Sequence, residues 1–402
     1  MAGRLPLYGE VAEPSARPWP IAAKGFRPFF LLAALFATLL VPLWLLVLDG
    51  RLQVGRYLDP IYWHAHEMVF GFAVAVIAGF LLTAVGNWTK RETAVGLPLL
   101  ALAGLWVAGR VAMTGPQLVP PWLTAITDLA FLPVLIVVVA RPLIATRNTK
   151  NLVMLAILTA LFLANLVVHL DVLGVLPGWR RRGCLLGIDV IVLVILVISG
   201  RTFPMFTRNG TGVETIASSP RLDQLAIASM AVLVVLDAVV PELVVTAAWA
   251  ALVGVLALVR SWRWGARHTR RTPLLWVLHV GYLWIPIGLV LRAVAAGTSA
   301  VTPQIATHAL TVGAIGSITL GMMARVALGH SGRLLAASRT IVVAFVLALL
   351  AAMIRVGAPL LGGDRYRATV FLAGALWAAA FALYLVVYVP ILVAPRVDGK
   401  PG

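Results

Sequence analysis

The sequence predicts an all-α, polytopic transmembrane bundle of about twelve spans with both termini cytoplasmic. Three observations predict it. Hydrophobic residues make up 61% of the 402 and charged residues only 12%, a balance foreign to a water-soluble globular domain. Mean hydropathy is +0.99. The apolar residues are gathered into runs long enough to cross a hydrocarbon core, which takes about 20 residues of helix.

Taken in order, the runs extend approximately over Pro28–Leu48, Tyr62–Gly86, Val95–Met113, Trp122–Ala140, Leu152–Leu173, Cys184–Phe206, Leu222–Val240, Glu242–Ser261, Leu274–Gly297, Gln304–Gly329, Thr340–Leu361 and Ala368–Ala394. The links are too short for a folded extramembrane domain, and Thr207–Pro220 is the longest structureless stretch between runs. Residues 28–394 are therefore expected to form one helical bundle, with residues 1–27 and 395–402 as cytoplasmic tails. The first tail is polar, carries Pro6, Pro14, Pro18 and Pro20, and lacks the pattern of a cleavable signal, so the first run is expected to stay as an anchor.

The net charge of +17 and a pI near 11.3 raise the possibility of a nucleic-acid partner. However, the 32 Lys and Arg lie mostly in short links, with no basic domain interleaved with aromatics. That is a topology signal, and no nucleic acid is expected. With the N-terminus inside, twenty of the 32 fall on inner segments and seven on outer ones: Arg51, Arg56, Arg180, Arg181, Arg182, Arg365 and Arg367. The remaining five, Arg110, Arg201, Arg292, Arg325 and Arg355, lie within runs, where a charge needs a partner, water or a route to the interface. The Arg180–Arg182 run is an exception to the positive-inside pattern.

One cysteine, Cys184, excludes an internal disulfide framework and a Cys-rich metal or iron–sulfur site. No phosphate-binding loop of the Gly-rich, Lys-Ser/Thr type occurs, which argues against ATP-driven transport. No repeat of the two halves is evident.

The chemistry gathers at one depth. "YWHAHEM" (Tyr62–Met68) brings His64, His66 and Glu67 to the outer end of the second run. His169 and Asp171 end the fifth, Asp189 starts the sixth, and His308 lies near the outer end of the tenth. Asp128, Arg110 and Arg292 share that half. Imidazole suits haem iron, copper and zinc, whereas hard oxygen sites serve Mg²⁺ and Ca²⁺, so a transition metal or haem is expected there. His64 and His66 lie about 200° apart around a regular helix, at 3.6 residues per turn. Either one faces the bundle and the other the interface, or the helix starts after them and both turn inward. His308 is expected within a ligand-sized gap of one of them, which requires the second and tenth spans to be neighbours, with Glu67, Asp128 or Asp189 fixing the imidazoles.

The inner half holds a second concentration. Arg201 and Arg208 lie in "GRTFPMFTRNG" (Gly200–Gly210), Arg325 and His330 in "MMARVALGHSGR" (Met322–Arg333), and His279 in the ninth run. Guanidinium groups there suit haem propionates, because their planar fork pairs a carboxylate. Ordinary positive-inside placement explains Arg208 equally well. Gly313, Gly316, Ser317 and Gly321 allow close approach by a helix or a flat cofactor.

Five segments, "KGFRPFF", "WHAHEMVFGF", "GFLLTAVGNWT", "GRTFPMFTRNG" and "HALTVGAIGSITLGMMARVALGHSGR", resemble the NnrS family of bacterial inner-membrane proteins. They run in order from residue 24 to residue 333. The resemblance implies a membrane protein with haem b and copper, associated with nitric oxide metabolism and protection from nitrosative stress. It carries over His64, His66, His308 and His330 from the histidine-bearing motifs, with Arg201 and Arg208 from the arginine-bearing one. His169 and His279 stand outside these motifs. The competing readings are a twelve-span transporter with a polar outer site and a membrane scaffold in which the histidines only pack.

Overall fold

The computed structural model describes residues 19–54, 57–115 and 119–400. The first eighteen residues of the expected N-terminal tail, together with Arg56, lie outside the described residues. Among the described residues there are twelve helical spans: α1 (Phe26–Leu48), α2 (Pro60–Thr89), α3 (Leu97–Thr114), α4 (Pro121–Ala145), α5 (Thr149–Val172), α6 (Arg180–Thr211), α7 (Pro220–Val239), α8 (Val244–Trp264), α9 (Pro273–Gly297), α10 (Pro303–His330), α11 (Arg339–Leu360) and α12 (Gly363–Val393). The twelve expected spans are present, and their ends differ from the expected ones by a few residues.

The boundaries follow local chemistry. Asp59 caps α2, its side chain accepting from the Tyr62 N–H at 3.3 Å, and Pro60 stands at the first helical position, where its missing N–H costs nothing. Proline opens α4, α7, α9 and α10 in the same way. The ends of the chain meet: Arg27 on α1 donates from Nη1 to the Leu392 and Ala394 carbonyls at 2.8 and 2.6 Å. This defines a near end, where α1 begins and α12 finishes, and a far end.

Three spans form the centre. In α2, α6 and α10, 89, 83 and 89% of the apolar stretch is buried inside the protein, against 22 to 61% in the other nine. The central spans fall at every fourth position in the chain, so all three run in the same direction. Helices without a lipid face approach closely through small residues. A Cβ on Gly187 of α6 would stand 2.7 Å from Val69 Cγ1 on α2. Gly316 on α10 receives the Trp377 indole of α12, and Gly313 receives Trp284 of α9. The small-residue face of α10 is thus taken up by indole rings.

Two central spans share a further irregularity. Residues Glu67–Ala73 of α2 and Ala309–Gly316 of α10 are wound as π-helix, each beginning just after a sequence-predicted histidine. Such wide turns interrupt the regular hydrogen-bond ladder and recur at functional sites. In α2 the Gly71 carbonyl accepts the Trp106 indole N–H of α3 at 3.2 Å as well as the Val74 N–H of its own helix.

The Arg180–Arg182 run is explained by length. With 32 residues, α6 spans about 48 Å at 1.5 Å per residue, well beyond a hydrocarbon core of about 30 Å. Arg180 donates to Asp171 at 2.6 Å and to Asp59 at 3.3 Å. Arg182 lies over the Trp179 ring at 4.4 Å, and Arg181 turns to a cavity described below.

Candidate functional site

His64 and His66 face opposite sides of α2, and both sides are inside the bundle. The helix starts at Pro60, before either of them. Because α2 is central, neither side is an interface.

On one side lies a cavity of about 430 Å³, bounded by α1, α2, α6, α10, α11 and α12 at the far end. His64 and His308 both line it, with Trp44, Arg181, Arg355 and Tyr366 among largely aliphatic walls. The His64 ring is stacked on Trp44, with centroids 4.7 Å apart and planes within 12°. Its Nδ1 is buried without a hydrogen-bond partner. His308 is held differently. Its Nδ1 donates to the Gln304 carbonyl one turn earlier, at 2.8 Å, which leaves Nε2 as the lone-pair nitrogen. A carbonyl behind one ring nitrogen is the usual way an imidazole is prepared as a metal ligand. The expected carboxylate behind His308 is therefore replaced by the main chain of its own helix.

The opposite side of α2 is sealed. His66, Glu67, Asp128, His169 and Asn165 are buried and joined in one network. Glu67 Oε1 accepts from His66 Nδ1 at 2.9 Å and from Arg110 Nη1 at 2.6 Å. Arg110 also pairs with Asp128. Asp128 Oδ2 accepts from Asn165 Nδ2 at 2.7 Å and from His169 Nε2 at 2.9 Å. His66 Nε2 lies 2.8 Å from Asn165 Oδ1, and the Tyr57 hydroxyl lies 2.7 Å from His169 Nδ1.

Donor and acceptor chemistry then fixes the protons. Asn165 uses its amide N–H on a carboxylate, so its oxygen faces His66 and accepts. The two His66 nitrogens therefore face Glu67 Oε1 and Asn165 Oδ1. His169 donates from Nε2 to Asp128, so Nδ1 accepts the Tyr57 proton, and His169 is neutral. The Arg110 guanidinium is shared by two carboxylates, Glu67 and Asp128, so each buried acid has a charged partner, as ionisable groups inside a bilayer require. One nitrogen from each of His66 and His169 and one oxygen from Asp128 lie within 4.8 Å of one another.

Sequence helps make this network possible. A Cβ on Gly71 would stand 2.8 Å from Arg110 Nη1, so only glycine leaves room for the guanidinium against the π-segment. Similarly, Gly109 lets α3 approach α4, a Cβ there meeting Asp128 Cα at 3.3 Å.

The other candidates go elsewhere. Asp189 is paired with Arg292, at 3.1 Å, and Arg292 also pairs with Asp237 of α7. Asp171 serves Arg180. At the near end, Arg201 donates to Asn151 at 2.8 Å, and Arg325 lies 4.1 Å over the Phe206 ring. His279 Nε2 is 2.8 Å from the Thr207 hydroxyl, whose own proton goes to the Phe203 carbonyl. His330 packs against Phe26, and Arg208 is half-buried on α6. Among the described residues, no hydrogen bond or ring contact joins any two of these five. Sequence reasoning did not single out Tyr57, Trp44, Asn165 or Tyr366. Asn165 carried a signal, being a polar residue inside an apolar run and one turn before His169.

Fold and site together define a class: a twelve-span helical membrane protein whose imidazoles and carboxylates are buried at one end of the bundle. The chain belongs to the NnrS protein family, whose match covers residues 20–396, nearly the whole length. No curated protein matches it.

The two classes of arginine contact generate a prediction. Replacing Arg110 with Met leaves two buried carboxylates without their shared guanidinium, a loss of about 3 to 5 kcal/mol for a broken buried pair. Replacing the more exposed Arg180 with Met is expected to cost at most about 1 kcal/mol. Thermal unfolding of the two variants in detergent should show a large drop for Arg110→Met alone. Equal shifts would show that the sealed network is not a stabilising centre.

Proposed function

We propose that this chain is a haem b- and copper-binding, multi-pass protein of the bacterial inner membrane, acting in nitric oxide metabolism or in protection from nitrosative stress. Membership of the NnrS family supports the biological setting. The observation that carries the chemistry is the meeting of His64 and His308, from two different spans, on one apolar-walled cavity of about 430 Å³. That volume lies within the roughly 300 to 1,000 Å³ usual for cofactor and ligand sites.

The residues fit a haem there. His64 has a buried nitrogen with no partner, and Trp44 stacked on its ring holds the imidazole plane. His308 has its Nδ1 proton anchored and its Nε2 lone pair free. Aliphatic side chains of α1, α2, α6 and α12 form much of the remaining wall. Bound haem iron would supply a centre that ligates nitric oxide.

Copper is assigned to His66, Asp128 and His169. The donor types suit it, and the charge of the network limits its oxidation state. With one guanidinium and two carboxylates in the network, a monovalent ion keeps the cluster neutral, whereas a divalent one leaves a net positive charge in the bilayer. Glu67 would then hold His66 by the other ring nitrogen, and Tyr57 would hold His169. Asn165 Oδ1, which now faces His66 Nε2, would have to turn away.

The near end is read as cytoplasmic, because Lys and Arg are concentrated in its links. A reporter fused after Arg271 is expected to be active in its cytoplasmic form, and activity only in a periplasmic form would reverse the orientation.

The chemical reading is tested by the absorption spectrum and metal content of detergent-purified protein. A Soret band and bound copper are expected. His64→Ala or His308→Ala should lower haem content while the amount of membrane-inserted protein stays the same. A wild-type protein with neither chromophore nor copper would favour the transporter or the scaffold instead.

A further inference from the structure

The far-end cavity is unusual in its charge. Two arginines, Arg181 and Arg355, and two imidazoles line it, and among the described residues no aspartate or glutamate does. Three acids of this end are engaged elsewhere: Asp49 with Arg51 and Arg367, Asp59 and Asp171 with Arg180. Arg355 is the more constrained of the two cations. It sits in the last turn of the α-helical part of α11, its side chain hydrogen-bonds Tyr366, and its Nη1 is buried with no hydrogen-bond partner. A guanidinium held in the apolar layer without a counter-charge is costly. At three other buried arginines that cost is met from within: Arg110 has Glu67 and Asp128, Arg260 has Asp223 and Arg292 has Asp189 and Asp237. Among the described residues no aspartate or glutamate pairs with Arg355, whose side-chain partner is Tyr366.

We infer that the occupant of this cavity carries acid groups and that Arg355 is the residue that binds them. The inference rests on the haem reading and extends it. The propionates of the macrocycle are the anions, Arg355 pairs with them from α11, and Arg181 stands at the start of α6 as the second cation on the same wall. Planar guanidinium and carboxylate groups match in shape as well as charge. The positive charge of the cavity then selects a diacid porphyrin over a neutral one of the same size.

The test uses the full-length protein produced without haem and purified in detergent, titrated with haem b or with its dimethyl ester and followed at the Soret band. A hydrogen bond to a charged group contributes about 1.5 to 3 kcal/mol, and each 1.4 kcal/mol is tenfold. The wild type is therefore expected to bind the diacid at least about tenfold more tightly than the diester. Arg355→Gln should bring that ratio close to one while leaving the position of the Soret band unchanged, because the iron ligands remain. Arg355→Lys should restore part of the preference. Equal binding of diacid and diester by the wild type would overturn the inference and needs no variant to be folded. So would an undiminished preference in Arg355→Gln. Loss of the Soret band in His64→Ala and His308→Ala, together with equal affinities for the two porphyrins, would retain the haem reading and reject the role of Arg355. The absence of a Soret band with either porphyrin in the wild type would reject both.

Discussion

The guanidinium of Arg110, held between Glu67 and Asp128 inside an apolar bundle, is the interaction on which the geometry of the far end depends. Glu67 is the first residue of the π-wound segment of α2, so fixing its carboxylate fixes the rotation of the helix at that point. The same carboxylate holds His66. With His66 turned towards α4 and α5, His64 is carried to the other side of the helix and into the cavity. The position of the candidate ligand is therefore set by an ion pair on the opposite face, and Gly71 is the residue that leaves space for it.

A second constraint is the burial of α2, α6 and α10. A polar residue on a lipid-facing span must point inward or reach the interface, but a central span has protein on every side. Each can present chemistry in more than one direction. This resolves the apparent conflict of two histidines spaced two residues apart: one serves a sealed network, the other an apolar-walled chamber. The paired π-segments add to it, since the wide turns of α2 and α10 follow directly on His66 and His308.

Much of the fold was legible in the sequence, because the bilayer imposes a length on every span and a charge bias on every link. Spans such as α1 and α11, bounded by charged or Pro/Gly-rich links, could be read almost to the residue. The ends of α6 could not, since Arg180–Arg182 and Thr207–Thr211 continue the helix beyond the apolar layer, where hydropathy carries no information. The candidate site was legible in depth but not in partition. His64, His66, His169, His308, Asp128 and Asp189 do share one half of the bundle, yet they divide among a cavity, a sealed network and a separate Asp189–Arg292–Asp237 group. Rotation of each helix decides that division, and α2 and α10 depart from the 3.6-residue period just where it matters. Arg355 was visible as an in-span cation without an evident partner, but only the packing of α11 against the cavity shows where it points.

The central claim is that α2 and α10 bring His64 and His308 to one cofactor chamber. An experimental structure of the protein isolated with its haem tests it most directly. The account predicts a macrocycle in the far-end chamber beside Trp44, with the iron facing His64, His308 or both. A macrocycle bound at the near end beside His279 or His330, with the far-end chamber filled by lipid or side chains, would contradict it.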